Sequence, residues 1–173
     1  MNVTALYPGT FDPFHNGHLD ISRRALTMYD RLIIGVYDLP NKKLLFPHAR
    51  RIALIEECLR DEIASGRVLI TGYSGLTVNF ARKVGASLMI RGLRNSVDFD
   101  YELQLSQTNN WLANDVESVI LLANAPHSFL SATLVREITL LGGDASALVP
   151  DNVGRALLQI SAMQAELNTG PNA

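Results

Sequence analysis

Residues 3–37, VTALYPGTFDPFHNGHLDISRRALTMYDRLIIGVY, decide the fold because a helical pattern separates two short apolar runs. The runs Val3–Tyr7 and Arg31–Tyr37 predict strands, and the second is apolar enough to be buried on both faces. Between them, apolar residues recur at helical spacing within His18–Tyr29. A strand, a helix and a second buried strand in this order predict a parallel β-α-β unit.

The rest of the chain repeats this alternation. Further strands are predicted at Arg67–Thr71, Ser87–Ile90 and Val116–Leu122. Helices are predicted from Pro47, as the first helical residue, through Leu59, and at Thr77–Val84, Val97–Leu112, Leu134–Leu141 and Val153–Leu167. The whole pattern predicts an α/β protein with a doubly wound five-stranded parallel sheet, a C-terminal helix and one domain over residues 1–167. The tail at 168–173 is expected to be disordered.

Composition limits the class of protein. The 173 residues are 47% hydrophobic and 18% charged, which is sufficient for a packed interior. The net charge of −2 gives no basic face for nucleic acid, and the single cysteine excludes an intrachain disulfide. Neither a signal-peptide pattern nor an apolar run of about 18 residues is present. A soluble cytoplasmic protein without a membrane partner is therefore expected.

Ligands of doubly wound sheets bind outside the carboxyl ends of the strands, and the suggestive residues of this chain follow predicted strands. After the first strand, Gly9 and Gly17 would let a ligand approach the backbone closely. His15 and His18 lie at the start of the next helix, whose free N–H groups favour phosphate. The alternative is a surface loop with two incidental histidines. Because two of the four histidines of the chain occur here, a functional loop is favoured.

Cationic residues follow other strands. Lys42 and Lys43 come after the second strand, and Arg91 and Arg94 flank Gly92 after the fourth. Guanidinium groups bind phosphate through parallel hydrogen bonds. In a chain with a net charge of −2, this gathering of cations at one sheet edge predicts a polyanionic ligand.

Further candidate ligand contacts follow the remaining strands, and some of them have a second interpretation. Thr77 ends a small-residue turn that could form a wall for a neutral ligand part. Glu102 lies about two turns into a helix and could accept from a ribose or adenine, or remain solvated. In the run His127–Thr133, Ser131 or Thr133 could cap the next helix, or the free N–H groups there could hold a phosphate, at which Arg136 would then point.

These motifs resemble those of the bacterial phosphopantetheine adenylyltransferases, within the HxGH nucleotidyltransferase superfamily. The resemblance covers about residues 3–157. The motifs on which it rests are YPGTFDPFHNGH at 7–18, NKK at 41–43, IRGLRNSVDFDYE at 90–102 and SFLSATLVREI at 128–138. HxGH marks only the superfamily, whereas RGLR followed by DFDYE is narrower. The resemblance implies a Rossmann-like nucleotidyltransferase fold and reversible transfer of AMP from ATP to 4′-phosphopantetheine, giving dephospho-coenzyme A and pyrophosphate. It also implies Mg²⁺ and a homohexamer, with the helix Val97–Leu112 as our candidate for part of the interface.

The resemblance also assigns residues by position. The phosphopantetheine contacts would be Thr10, Lys42, Thr77 and Arg91. The ATP site would comprise Thr10, Phe11, His18, Gly92, Leu93, Arg94, Glu102, His127, Ser128, Phe129, Leu130, Ser131, Ala132 and Thr133. His18 would be the catalytic residue that stabilises the transition state, and the assignment contains no protein ligand for a metal.

Two positions depart from the family pattern. Ala132 stands where a third consecutive hydroxyl residue is usual, and Asn110 stands where an arginine is usual. Both departures could weaken triphosphate binding, so they motivate a second hypothesis, a nucleotide-binding sensor without turnover.

Two further enzyme classes are alternatives. A sister nucleotidyltransferase could act on nicotinate mononucleotide or use CTP, but the RTEGISTT-like segment typical of cytidylyltransferases is missing. A class I aminoacyl-tRNA synthetase shares a HIGH-like motif, but this chain is too short and lacks a KMSKS-type loop.

Overall fold

Five parallel strands form one sheet in the computed structural model, which describes residues 3–38 and 43–168. The strands are β1 (Thr4–Gly9), β2 (Arg31–Tyr37), β3 (Val68–Tyr73), β4 (Leu88–Leu93) and β5 (Glu117–Leu122). They lie in the order β3-β2-β1-β4-β5, and every neighbouring pair is parallel. The predicted doubly wound sheet is therefore confirmed, with β1 at its centre.

Helices connect and cover the strands. They are α1 (Asn16–Met28), α2 (His48–Cys58), α3 (Arg60–Ala64), α4 (Thr77–Lys83), α5 (Ser96–Leu112), α6 (Ala132–Leu140) and α7 (Asp151–Asn168). The prediction of Pro47 as the first helical residue is wrong by one position, because its ψ of 154° is extended and α2 begins after it. Leu59 lies between α2 and α3 rather than within one helix. Residues 169–173 of the expected tail lie outside the described residues.

Three strands continue further than the sequence predicts. β1 runs to Gly9, β3 to Tyr73 and β4 to Leu93. The added residues continue the ladders, with Gly9 opposite Val36 and Leu93 opposite Leu122. Glycine and proline made these ends resemble loops, although a partner on the neighbouring strand keeps them extended. Arg91 therefore lies within a strand rather than after it.

Both faces of the sheet are covered, as the apolar runs predict. Along β2, Leu32 and Ile34 belong to a core cluster shared with α1 and α2, whereas Ile33 belongs to a cluster shared with α4. This alternation follows from the two-residue repeat of a strand. In the part of the chain that the structure describes, no helix combines the length and apolar character needed to cross a membrane.

Candidate active site

A cavity of about 350 Å³ lies at the carboxyl ends of β1 and β4. The chain runs from β1 towards β3 and then returns to the other side of β1, so a crevice forms where the order reverses. The cavity brings together eleven of the predicted site residues: Phe11, His18, Arg91, Gly92, Arg94, Glu102, His127, Leu130, Ser131, Ala132 and Thr133. Phe11 and Thr133 are far apart in the sequence, and only the tertiary fold brings them to the same cavity.

Some predicted site residues lie elsewhere. Thr10, Thr77, Leu93, Ser128 and Phe129 do not line this cavity. The Thr77 hydroxyl is 3.0 Å from the hydroxyl of Tyr73, and the Phe129 side chain is largely exposed. Lys42 lies outside the described residues. The binding roles of all the predicted site residues, including these six, stay predictions.

Close packing fixes the loop between β1 and α1. Phe11 has φ 50° and is buried, and a Cβ on Gly9 would come within 2.8 Å of its ring. A Cβ on Gly17 would come within 3.1 Å of the His15 ring. Both glycines line the cavity, and their lack of a side chain also leaves space for the rings of Phe11 and His15 in the same loop.

His18 is held among aromatic rings. It stacks on His15 at a centroid distance of 3.6 Å, and the edge-on ring of Phe11 lies at 5.0 Å. The backbone N–H of His15 donates to Nδ1 of His18 at 3.2 Å. Nδ1 must therefore be unprotonated, and the neutral ring carries its proton on Nε2. His18 thus offers an N–H donor from the wall of the cavity.

The charge state of both histidines follows from burial. Burial, with His15 and Arg94 nearby, holds the pKa of His18 well below its ordinary value of 6.5. Burial, reinforced by Arg94 and His127, lowers the pKa of His15 to about 3. Nδ1 of His15 is buried without a hydrogen-bond partner among the described residues. Both imidazoles are neutral at physiological pH.

Each arginine of the RGLR segment is paired with a carboxylate of α5. Nε and Nη2 of Arg91 donate to Glu102 at 2.7 and 2.8 Å, and Glu102 is buried. Arg94 pairs in the same forked way with Asp98, at 2.8 and 2.9 Å, and also donates to the carbonyl of Leu130. A solvated Glu102 is therefore excluded. Arg94 precedes Asn95, the N-cap of α5, so the i, i+4 rule for helices gave no signal for the second pair.

The N-terminus of α6 forms another wall. Ser131 is its N-cap, because its Oγ accepts from the backbone N–H of Leu134 at 3.0 Å. Ala132 and Thr133 open the helix and line the cavity, where the first N–H groups of a helix favour an anion. Arg136 does not point at this cavity: it donates to the carbonyl of Asp12 and to the Thr133 hydroxyl.

The sequence missed several cavity residues, of which Tyr7 is the most informative. Its side chain is buried, and its hydroxyl lies 3.8 Å from the position of a Cβ on Gly92. Burial raises the pKa of Tyr7, so the phenol remains protonated. Pro8, Ile21 and Ala123 complete the lining that the sequence did not predict. Tyr7 ends a predicted strand, which was the available signal for a position at the ligand edge.

The fold has a solved counterpart. A bifunctional NMN adenylyltransferase/ADP ribose pyrophosphatase from Francisella tularensis superposes with a TM-score of 0.72 at 19% identity. The match covers 97% of this chain and 54% of that protein. At this level of identity the comparison shows a shared fold.

Sequence comparison is more specific. A family model described as Cytidylyltransferase-like matches residues 6–138. A protein named phosphopantetheine adenylyltransferase from Roseiflexus sp. (strain RS-1) is 48% identical over 153 residues, which are 88% of this chain and 94% of that protein. A protein of the same name from Alkaliphilus metalliredigens (strain QYMF) is 42% identical over 152 residues, covering 88% and 95% of the two chains. The chain therefore belongs to the phosphopantetheine adenylyltransferase family.

Proposed function

We propose that this chain transfers the adenylyl group of ATP reversibly to 4′-phosphopantetheine, giving dephospho-coenzyme A and pyrophosphate in coenzyme A biosynthesis. One observation carries the proposal: the His18 donor, the Arg91 and Arg94 side chains and the N-terminus of α6 all meet at one cavity. Two phosphate-bearing substrates need several separate anion-binding groups of this kind. Family membership supplies the identity of the acceptor.

The chemistry is an in-line displacement at the α-phosphorus of ATP. An oxygen of the acceptor phosphate forms the new P–O bond while the bond between the α-phosphorus and its bridging oxygen to the β-phosphorus breaks. The bonding electrons leave with pyrophosphate. Because the attacking phosphate oxygen is already an anion, no general base is needed, and catalysis comes from positioning and charge stabilisation.

His18 would supply the donor that strengthens in the transition state. Its Nε2–H can donate to an α-phosphate oxygen as charge builds there, and the neutral ring requires no change of protonation. We assign the ATP phosphates to Arg94 and to the free N–H groups of α6. The acceptor phosphate is assigned to Arg91, with Thr10, Thr77 and Lys42.

We propose that Mg²⁺ enters with ATP as part of the substrate. No group of three or more His, Cys, Asp or Glu side chains gathers in a metal-binding arrangement within residues 3–38 and 43–168. Glu102, the carboxylate that lines the cavity, is already bonded to Arg91. Mg²⁺ is commonly held by substrate phosphates and water, which fits this donor set.

We also propose a homohexamer that acts in the cytoplasm. α5 supports the assembly, because several of its large hydrophobic side chains are exposed. Val97, Tyr101 and Trp111 are 83%, 62% and 84% exposed, and Phe99, Leu103 and Leu112 are also exposed. Exposed hydrophobic side chains in this number are typical of a subunit interface. Light scattering should give a mass near six times 19.0 kDa, and a mass of 19.0 kDa would refute the assembly.

A substrate matrix tests the function. ATP and CTP are each combined with 4′-phosphopantetheine and with nicotinate mononucleotide, and both pyrophosphate and the nucleotide product are measured. Only ATP with 4′-phosphopantetheine should give rapid product, namely dephospho-coenzyme A. Faster turnover with nicotinate mononucleotide or CTP would refute the proposal. ATP binding without pyrophosphate release would favour the sensor hypothesis that Ala132 and Asn110 motivate.

A further inference from the structure

Arg51 of α2 is a buried arginine that the site described above does not use. Its side chain is 1% exposed, whereas the neighbouring Arg50 is exposed. Two of its nitrogens, Nε and Nη2, have no hydrogen-bond partner among the described residues. Burying a guanidinium with unbonded donors costs free energy. The role of Arg51 should therefore lie in the bonds that its remaining nitrogen makes.

The third nitrogen of Arg51 joins two strand ends. Nη1 donates to the carbonyl of Thr10 at 2.5 Å and to the carbonyl of Tyr37 at 2.9 Å. Thr10 follows β1 and Tyr37 ends β2, and these strands are neighbours in the sheet. Arg51 therefore fixes the first residue of the β1–α1 loop against the end of β2.

The same loop is held from a second direction. Asp12 is buried, and its carboxylate accepts from the backbone N–H groups of Leu45 and Phe46 at 2.7 and 2.9 Å. Phe11 lies between Thr10 and Asp12, the two residues held by these hydrogen bonds. Its φ of 50° is unfavourable for a residue other than glycine. A turn in this conformation persists only where its surroundings determine it.

We infer that Arg51 is a positioning residue for the acceptor substrate, because it holds the Thr10–Phe11 turn in the conformation in which Thr10 meets the acceptor phosphate. The inference rests on the proposed function, which places Thr10 at the acceptor phosphate, although the resemblance also assigns Thr10 and Phe11 to the ATP site. Among the described residues Arg51 makes no hydrogen bond to Arg94 or to α6, to which the ATP phosphates are assigned. Its loss should therefore affect the acceptor more than ATP.

The test uses Arg51→Lys, with Arg50→Lys as the matched control on the exposed side of α2. Lysine keeps the charge, but its ammonium ends one bond nearer the helix and lacks the planar fork. We expect the KM for 4′-phosphopantetheine to rise about tenfold, because hydrogen bonds to charged groups are lost. The dissociation constant of ATP, measured by titration calorimetry, should change by a clearly smaller factor, because its assigned phosphate contacts, Arg94 and the N-terminus of α6, remain. Arg50→Lys should match the wild-type chain in both measurements.

Calorimetry also measures the folded fraction through the number of ATP sites, so misfolding is separated from mispositioning. Arg51→Met should raise the KM for 4′-phosphopantetheine further in the fraction that binds ATP. An unchanged KM in Arg51→Lys would overturn the inference, as would an equal loss of ATP affinity. Either result leaves the proposed function standing, which fails only if the wild-type chain makes no dephospho-coenzyme A.

Discussion

The loop after β1 and the segment from β4 into α5 both bring polar groups to the cavity, but different forces hold them. In the β1–α1 loop, neutral rings pack on one another, and a backbone N–H orients His18. At β4 and α5, the cations are held by forked ion pairs, Arg91 with Glu102 and Arg94 with Asp98.

The difference separates two tasks. Packing and a backbone hydrogen bond place the His18 donor, and burial holds the pKa of His18 low, so the neutral donor is available over a wide range of pH. Ion pairs keep cations oriented and partly neutralised until a phosphate competes for them. His18 should therefore govern kcat, and the arginine segment should govern substrate affinity.

The largest expected effect tests the loop. His18→Ala should lower kcat by about 10²–10³, as the loss of one transition-state donor usually does, with much smaller changes in KM. His18→Asn is the matched control, because an amide oxygen at the Nδ1 position can still accept from the His15 N–H while the Nε2 donor is lost. Steady-state kinetics should show both variants to be equally slow. Near-normal kcat in His18→Asn would show that His18 serves only to shape the loop.

The next effect tests the arginine segment. Arg91→Ala should raise the KM for 4′-phosphopantetheine about tenfold to a hundredfold, because a charge-assisted hydrogen bond to phosphate is lost. It should raise the KM for ATP less. Because Arg91→Ala also leaves Glu102 buried without its partner, the measurement is repeated in a Glu102→Gln background. A selective loss of ATP affinity in both backgrounds would show that the two subsites are exchanged. Lys42→Ala should show the same preference for the acceptor.

The third prediction concerns pH and the neutral loop. The folded-state pKa of His15 is about 3 and its ordinary value is 6.5, so the unfolded chain binds a proton first as pH falls. The contribution of His15 to stability is present above pH 6.5 and is lost as pH falls towards 3. Between about pH 7.5 and about pH 5.5 this amounts to about 1.4 kcal/mol, or about tenfold in the folding equilibrium. Urea unfolding measures the free energy of unfolding at both pH values. The loss attributed to His15 should be present in the wild-type chain and missing in His15→Asn. Equal slopes would contradict a neutral His15.

The smallest effect concerns the N-terminus of α6. Ser131 already caps the helix, so the backbone N–H groups at Ala132 and Thr133 remain for an anion. Ala132→Ser adds at most one neutral hydrogen bond and should tighten ATP binding by no more than about tenfold. ATP titration and turnover of both forms check this. Restoration of turnover by several orders of magnitude in an inert chain would instead support the sensor hypothesis.

Sequence reasoning predicted much of the site because its cues are local. The HNGH turn and the run at 127–133 follow strands, the RGLR segment ends one, and parallel strands end at one edge of a sheet. Sequence reasoning could not predict which charged side chains form ion pairs within the site. It treated Glu102 and Arg91 as contacts to different substrates, whereas the structure joins them in one ion pair.

The sequence by itself determined the fold class, because short buried runs alternating with amphipathic helices permit few arrangements other than a parallel sheet with helices on both faces. It also predicted eleven of the residues that line the cavity. Only the tertiary structure decided the tautomer of His18, the burial of Arg51 and the role of Arg136. Each of these depends on a backbone group or side chain brought close by folding, and a one-dimensional pattern does not encode such distances.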